Sequence, residues 1–158
     1  MKIINKTGQK KIDEAVELFW SYLPENLEQL NSIPSKDYFY QCDQTSDEIA
    51  SKIKEFFYNT DSTKDITLVL YKPFNRWSSA IGYTDEPTRT IHINSRKLNS
   101  LEILDYSGHI FHESLHVMGY THSFYNSKNR PFTVPYFLGY LMSGDKTIEE
   151  LLDYKKPI

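Results

Sequence analysis

Apolar residues at helical spacing predict a helix near the start of the chain. After a short strand at residues 2–5, apolar side chains recur every three or four residues between Lys11 and Tyr22, namely Ile12, Ala15, Val16 and Phe19. Pro24 is predicted to end this helix, because proline cannot donate the main-chain hydrogen bond of a helix interior. Residues 24–45, rich in Pro, Ser, Asn and Asp, then predict a connecting loop.

The middle of the chain predicts a second helix followed by strands. The helix begins with Thr45 or Ser46 as its cap. Residues 65–72 are β-branched and apolar on both faces, which predicts a central strand covered by helices. Residues 79–84 and 90–94 predict two shorter strands joined by a hairpin turn. Helices and strands together indicate an α/β (α+β) fold.

A long helix is predicted in the last third of the chain. It starts with Asn99 or Ser100 as its cap and runs to Met118. Gly108 lies inside it and marks either a kink or a close helix contact, since glycine weakens a helix interior. Residues 147–154 predict a short C-terminal helix, with its first residue, Thr147, as the cap.

Length and charge limit the possible classes of protein. The chain has 158 residues, the size of one domain, and we expect residues 1–158 to form a single monomeric domain. Its 18 basic and 21 acidic residues give a net charge of −3, so we expect neither a nucleic-acid partner nor binding to a membrane. The single cysteine, Cys42, excludes an intramolecular disulfide.

The most specific chemical signal is the segment HESLHVMGYTH, which fits the pattern HExxHxxGxxH. His112 and His116 are one helical turn apart and therefore share a face. His122 would lie too far along a straight helix, so the chain must bend, and Gly119 can adopt the left-handed conformation that ends a helix. Three histidines with a fourth position left for water are typical of a catalytic zinc site.

Glu113, next to the first histidine, lies beside this predicted site but points too far round the helix to be an obvious ligand. Zinc lowers the pKa of its bound water from 15.7 to roughly 7, and a neighbouring carboxylate can take the proton.

Two other interpretations of the segment remain: a core helix with scattered polar residues, or a structural zinc site, which would favour cysteines. His109 could support the site, although a core or solvated histidine is the commoner case.

These eleven residues resemble the active-site signature of the metzincin zinc metalloproteases. The resemblance implies a small metalloprotease domain with a twisted mixed sheet, an antiparallel edge strand, an N-terminal helix and an active-site helix. It implies one Zn²⁺ held by the three histidines, with Glu113 as general base. It also implies a methionine in a tight turn beneath the metal, for which Met142 is the candidate, and a tyrosine near that turn. Of Tyr125, Tyr136 and Tyr140, we select Tyr136.

The resemblance further implies a peptide or protein substrate, bound in extended form along an edge strand above the metal. Residues 90–95 are the candidate, with Ile91, His92, Ile93 and Asn94 as substrate-binding residues. The loop 123–135 would form much of the cleft wall below the metal. Three aromatic residues in it suggest an apolar primary pocket: Phe124, Tyr125 and Phe132.

Two alternative functions stay open. The bacterial YbeY-type endoribonucleases have a similar length and a related three-histidine segment ending in GlyTyrAspHis, to which residues 119–122 are similar. They have glycine where this chain has Glu113, however, and no counterpart to their arginine-bearing upstream segment is found. The other alternative is a catalytically silent zinc-bound interaction module, which would have no chemical need for a base beside the metal.

The N-terminal residues give an expectation about location. They lack the apolar core of a signal peptide, so the chain as it stands is expected to be cytoplasmic. It would be secreted if a leader had been removed.

Overall fold

A computed structural model describes residues 1–33, 38–123 and 127–153, which form a mixed α/β fold. Within these ranges the helices are α1 (Lys10–Asn31), α2 (Ser46–Phe57), α3 (Ile103–Val117), α4 (Val134–Ser143) and α5 (Ile148–Asp153). The strands are β1 (Ile3–Asn5), β2 (Ile66–Tyr71), β3 (Gly82–Asp85) and β4 (Thr90–Asn94).

The strands form one mixed sheet in the order β1-β2-β4-β3. β1 and β4 run parallel to β2 on either side of it, and β3 pairs antiparallel to β4, with Val69 and Tyr83 both opposite His92. The predicted mixed sheet, the hairpin and the central position of β2 are thereby confirmed. The predicted edge strand is wrong, because β4 is paired on both sides and β3 is the antiparallel edge strand.

In the part of the chain that the structure describes, only one face of the sheet is fully covered. Ile66, Leu68, Ile91 and Ile93 are completely buried in the core, and β3 and β4 pack against α3. The alternate residues of β2, such as Val69, are half-buried, so the prediction of a strand covered on both faces holds for one face.

Helix α1 continues past Pro24 to Asn31, so the predicted end of this helix and the start of the loop at residue 24 are wrong. The cost of a proline in a helix interior is about 3 kcal/mol. Leu23, Leu27 and Leu30 are all buried on the core side of the helix. Each buried leucine contributes roughly 1.5–3 kcal/mol, which outweighs the missing hydrogen bond.

Two of the predicted helix starts are confirmed by local hydrogen bonds. Thr45 caps α2 in a reciprocal capping box with Glu48, and Thr147 makes the same exchange with Glu150 at the start of α5. The end of the predicted C-terminal helix, at residue 154, lies outside the described residues. None of the helices in the described ranges has both the length and the apolar character needed to cross a bilayer.

Helix α3 begins later than predicted, at Ile103 with Glu102 as its cap, because the Asp105 carboxylate accepts the main-chain N–H of Glu102 at 2.7 Å. The interior of α3 lies very close to α4. A Cβ on Gly108 would come within 2.6 Å of the Gly139 carbonyl oxygen, so the predicted close helix contact at Gly108 is confirmed. This contact brings α4 against the face of α3 that carries the histidines.

Candidate metal centre

Helix α3 places the first two histidines of the motif together. His112 and His116 lie one turn apart, and their Nε2 atoms are 3.2 Å from each other. The helix then ends at Val117, and Gly119 has φ +90°, a left-handed conformation that other residues rarely adopt. Its N–H donates to the His116 carbonyl at 2.9 Å.

The turn at Gly119 brings His122 back to the end of the helix. Its Nε2 atom lies 3.1 Å from Nε2 of His112 and 3.1 Å from Nε2 of His116. The three nitrogens therefore form a nearly equilateral triangle. Within the described ranges this is the only group of three side chains whose donor atoms are close enough to share a metal ion.

The hydrogen bonds behind the rings determine which nitrogen carries the proton. Nδ1 of His116 lies 2.7 Å from the Tyr120 carbonyl, and Nδ1 of His122 lies 3.0 Å from the Ser123 carbonyl. His112 bonds the main chain of Pro135, which has only a carbonyl to offer. In a neutral imidazole the donating nitrogen holds the single proton, so all three Nε2 atoms present lone pairs.

Three converging lone pairs repel one another unless a cation lies between them. A tetrahedral ion with bonds of about 2.0–2.1 Å, as zinc makes to imidazole, would place its ligands roughly 3.3–3.4 Å apart. The observed separations of 3.1–3.2 Å are close to that value. Burial lowers the pKa of each histidine, which favours the neutral form that binds metal. The three histidines could therefore hold a metal ion.

Glu113 directly follows His112 in α3 and is buried, with only 6% of the residue exposed. Burial raises the pKa of Glu113 to about 7, and a hydrogen bond from Thr84 opposes the rise. The Thr84 hydroxyl donates to Oε2 at 2.6 Å. A carboxyl group with a pKa near neutrality can both accept and return a proton at physiological pH.

His109, one turn before His112, is buried on the other side of Glu113. Its Nδ1 atom lies 3.6 Å from Glu113 Oε1, and burial lowers the pKa of His109 to about 3. His109 is therefore neutral at physiological pH and does not form an ion pair with the carboxylate. The structure places it at the lining of the cleft that contains the three histidines, with its side chain 8% exposed and in contact range of the candidate base.

Tyr136 is the tyrosine that the structure places beside the histidines. Its ring centre lies 4.6 Å from that of His112 and 4.7 Å from that of His122. The Arg130 guanidinium lies 4.3 Å from the centre of the tyrosine ring. Tyr140 is farther along α4, with its ring 5.8 Å from that of Tyr136, and Tyr125 lies outside the described residues.

An open cleft of about 1070 Å³ runs over the histidines. One wall is the segment 79–84, which includes the start of edge strand β3, and the other is α4 with Tyr136 and Tyr140. The face of α3 that carries His112 and His116 also lines the cleft. A cleft open at the surface can accept an extended chain, and all three histidines line this cleft.

Several predicted site residues have different surroundings from those expected. Met142 lies in helix α4 as a buried core residue, so the prediction of a tight turn at this position is wrong. The sharp turn comes two residues later, at Gly144 with φ +73°. Phe132 is buried against Tyr38 rather than in the cleft lining, which removes it from the predicted apolar pocket. Phe124 and Tyr125 lie outside the described residues.

The predicted substrate-binding strand is inside the sheet. Ile91 and Ile93 are core residues, and Asn94 is buried with its amide donating to the Ala80 carbonyl. His92 is on the other face, where its ring stacks on Tyr83 at 4.5 Å. None of these four side chains lines the cleft. The error arose because strand order is set by long-range pairing, which the local sequence does not reveal.

Sequence reasoning missed Thr84 and Arg130. Thr84 is an ordinary strand residue in the sequence, and only the packing of β3 on α3 brings its hydroxyl to Glu113. Arg130 belongs to no recognisable motif in the sequence. Arg130 lies in a short helical turn, Arg130–Phe132, just before α4. The Arg130 guanidinium lies over the Tyr136 ring. Both contacts join segments whose proximity only the folded chain reveals.

Comparison of the chain with protein-family models, with curated proteins and with solved structures finds no match. The function is therefore argued from the geometry of the site.

Proposed function

We propose that this protein is a zinc-dependent endopeptidase in which His112, His116 and His122 hold one Zn²⁺ and Glu113 is the general base. The observation that carries the proposal is the set of three Nε2 atoms, 3.1–3.2 Å apart, with the buried Glu113 in the lining of the same cleft. The resemblance of residues 112–122 to the metzincin signature supports the same assignment.

The donor set fits zinc, because neutral imidazole is a common zinc ligand and each ring is oriented by a main-chain carbonyl. When bound, zinc would supply a Lewis acid that lowers the pKa of water from 15.7 to roughly 7 and polarises a substrate carbonyl. Three histidine ligands would leave one position for water, as catalytic zinc sites require.

The protein's own groups would handle the protons. Oε2 of Glu113 is bonded to Thr84, so we assign Oε1 as the oxygen that takes the proton of the attacking water and returns it to the leaving amine. The Tyr136 hydroxyl could donate to the developing oxyanion, since its ring lies against two of the three histidine rings.

The cleft supports a peptide substrate. β3 has one side paired with β4, and in the described part of the chain its other side has no strand partner. An extended peptide could add to this edge through main-chain hydrogen bonds, at the wall of the cleft. The same open groove favours cleavage within a chain over removal of a terminal residue.

An endoribonuclease of the YbeY type is the second candidate, because the three histidines alone would serve either chemistry. Glu113 and the net charge of −3 favour the peptidase. A silent zinc-bound module is less favoured, because it has no use for a buried carboxyl group with a pKa of about 7 beside the metal.

The test is cleavage of a mixed peptide library by the zinc-loaded protein and by Glu113→Gln, with single-stranded RNA as the second substrate. We expect peptide cleavage by the wild type and a loss of roughly 10²–10⁴-fold in the variant, the usual contribution of a general base. Glu17→Gln, on the exposed side of α1, is the matched control and should retain activity. Cleavage of RNA alone, or of neither substrate, would contradict the peptidase assignment.

A further inference from the structure

The Glu113 carboxylate is held between strand β3 and helix α3. The Thr84 hydroxyl donates to Oε2 at 2.6 Å from the strand side, and His109 lies 3.6 Å from Oε1 on the helix side. The two carboxylate oxygens therefore have different neighbours, and only one of them is hydrogen-bonded within the described part of the chain.

The Thr84 hydroxyl also lies close to the main chain of Glu113. The same Oγ1 atom lies 3.0 Å from the Glu113 main-chain carbonyl oxygen. A glutamate side chain has three rotatable bonds and gives up roughly 1.5–2 kcal/mol of rotamer entropy when it is fixed. A contact that reaches both ends of the side chain restricts those rotations before any substrate binds.

On the side of Oε1, the Glu113 carboxylate faces the His109 ring, which lies next to Gly82. A Cβ at position 82 would meet the His109 ring and the His92 carbonyl, so glycine provides the space in which the ring sits. The His109 side chain is 8% exposed and neutral, and among the described residues its buried Nε2 atom has no hydrogen-bond partner. The ring therefore limits the movement of the carboxylate away from Thr84.

We propose that Thr84 is a positioning residue that holds the Glu113 carboxylate in the orientation of a general base, with His109 as the wall behind it. The inference rests on the proposed function. Without this hold, the carboxylate could rotate away from the attacking water or bind the metal itself. Because Thr84 belongs to the edge strand that lines the cleft, the position of the base is tied to the strand on which a peptide would bind.

The test compares Thr84→Val, which removes the hydroxyl but keeps the shape, with Thr84→Ser, which keeps the hydroxyl. Thr67→Val, on β2 and outside the cleft lining, is the matched control. For each zinc-loaded variant we would measure zinc per chain, kcat and KM on one peptide, and the affinity for acetohydroxamate by calorimetry. Acetohydroxamate chelates zinc as its anion, and a carboxylate placed to accept its proton strengthens this binding.

We expect Thr84→Val to keep its zinc and its KM and to lose roughly 10–100-fold in kcat, as supporting residues around metal sites do. Its acetohydroxamate affinity should fall, and Thr84→Ser should restore both properties. The proposal is overturned if Thr84→Val matches the wild type, if it loses zinc, or if Thr84→Ser is as impaired as Thr84→Val.

Failure of the proposed function gives a different pattern. If the zinc-loaded wild type cleaves no peptide but binds acetohydroxamate, the peptidase assignment fails. The acetohydroxamate affinities of the Thr84 variants then decide whether Thr84 positions the Glu113 carboxylate. If the wild type binds zinc but not acetohydroxamate, both proposals fail.

Discussion

Each of the three histidines is oriented by a main-chain carbonyl, and this is what separates them from ordinary core histidines. The acceptors belong to Tyr120, Ser123 and Pro135, which lie in the turn after α3 and in the first turn of α4. The spacing of the motif predicted which residues converge. It could not predict the carbonyls or Thr84, because those contacts depend on how distant segments pack.

At this scale the pKa shifts predict how the stability of the metal-free protein depends on pH. Burial lowers the pKa of His109, His112, His116 and His122 below 6.5, so the unfolded chain binds more protons than the fold once the pH falls below 6.5. These groups therefore make the protein less stable as the pH falls from 7.5 to 5.5. Denaturant unfolding in a chelator measures this loss.

Glu113 acts in the opposite direction. The pKa of Glu113 rises from 4.5 in the unfolded chain to about 7 in the folded protein. Between these two values the folded protein binds one proton more than the unfolded chain, so a falling pH stabilises the folded protein. Glu113→Gln removes this opposing contribution, and the variant should lose more stability than the wild type between pH 7.5 and pH 5.5. An equal or smaller loss in the variant would show that the carboxyl group is not buried as described.

At the scale of elements, the site depends on how α3 ends and on how closely α4 approaches it. Local signals predicted the caps of α2 and α5, because the capping residues are neighbours in sequence. They failed for the end of α1, where burial of three leucines outweighs the effect of Pro24. They also failed for the edge strand, because the position of β4 between β2 and β3 is a long-range pairing.

The left-handed turn at Gly119 gives a prediction at this scale. Gly119→Ala meets open space, so its cost is the backbone strain of about 1–2 kcal/mol for a residue with a side chain in this conformation. Any relief of that strain moves His122, so zinc affinity should fall together with stability. Zinc titration and denaturant unfolding measure the two effects.

Gly8 provides the matched control for this substitution. It also has a positive φ, +69°, with open space around its Cβ position, and it lies in the loop before α1, outside the cleft lining. Gly8→Ala should lose a similar amount of stability and keep its zinc affinity. Equal zinc affinities in the two variants would mean that the Gly119 turn does not set the position of His122.

At the scale of the whole molecule, the candidate site joins parts of the fold that are distant in sequence. Edge strand β3 supplies Thr84, α3 supplies His112, His116 and Glu113, the following turn supplies His122, and α4 supplies Tyr136. The sequence predicted the mixed α/β fold because the periodicity of its segments is clear. It did not predict α4, and it placed residues 90–95 at the edge of the sheet, because both features are decided by packing of the complete chain.

The most direct test of the metal site is the zinc content of the purified protein after dialysis against a zinc-free buffer, measured by elemental analysis for the wild type and for His122→Ala. We expect close to one zinc per chain in the wild type and a large loss in the variant, because two histidines on one helical turn leave the site incomplete. A wild type without bound zinc, or a variant that retains as much zinc as the wild type, would contradict the assignment of the three histidines as a metal site.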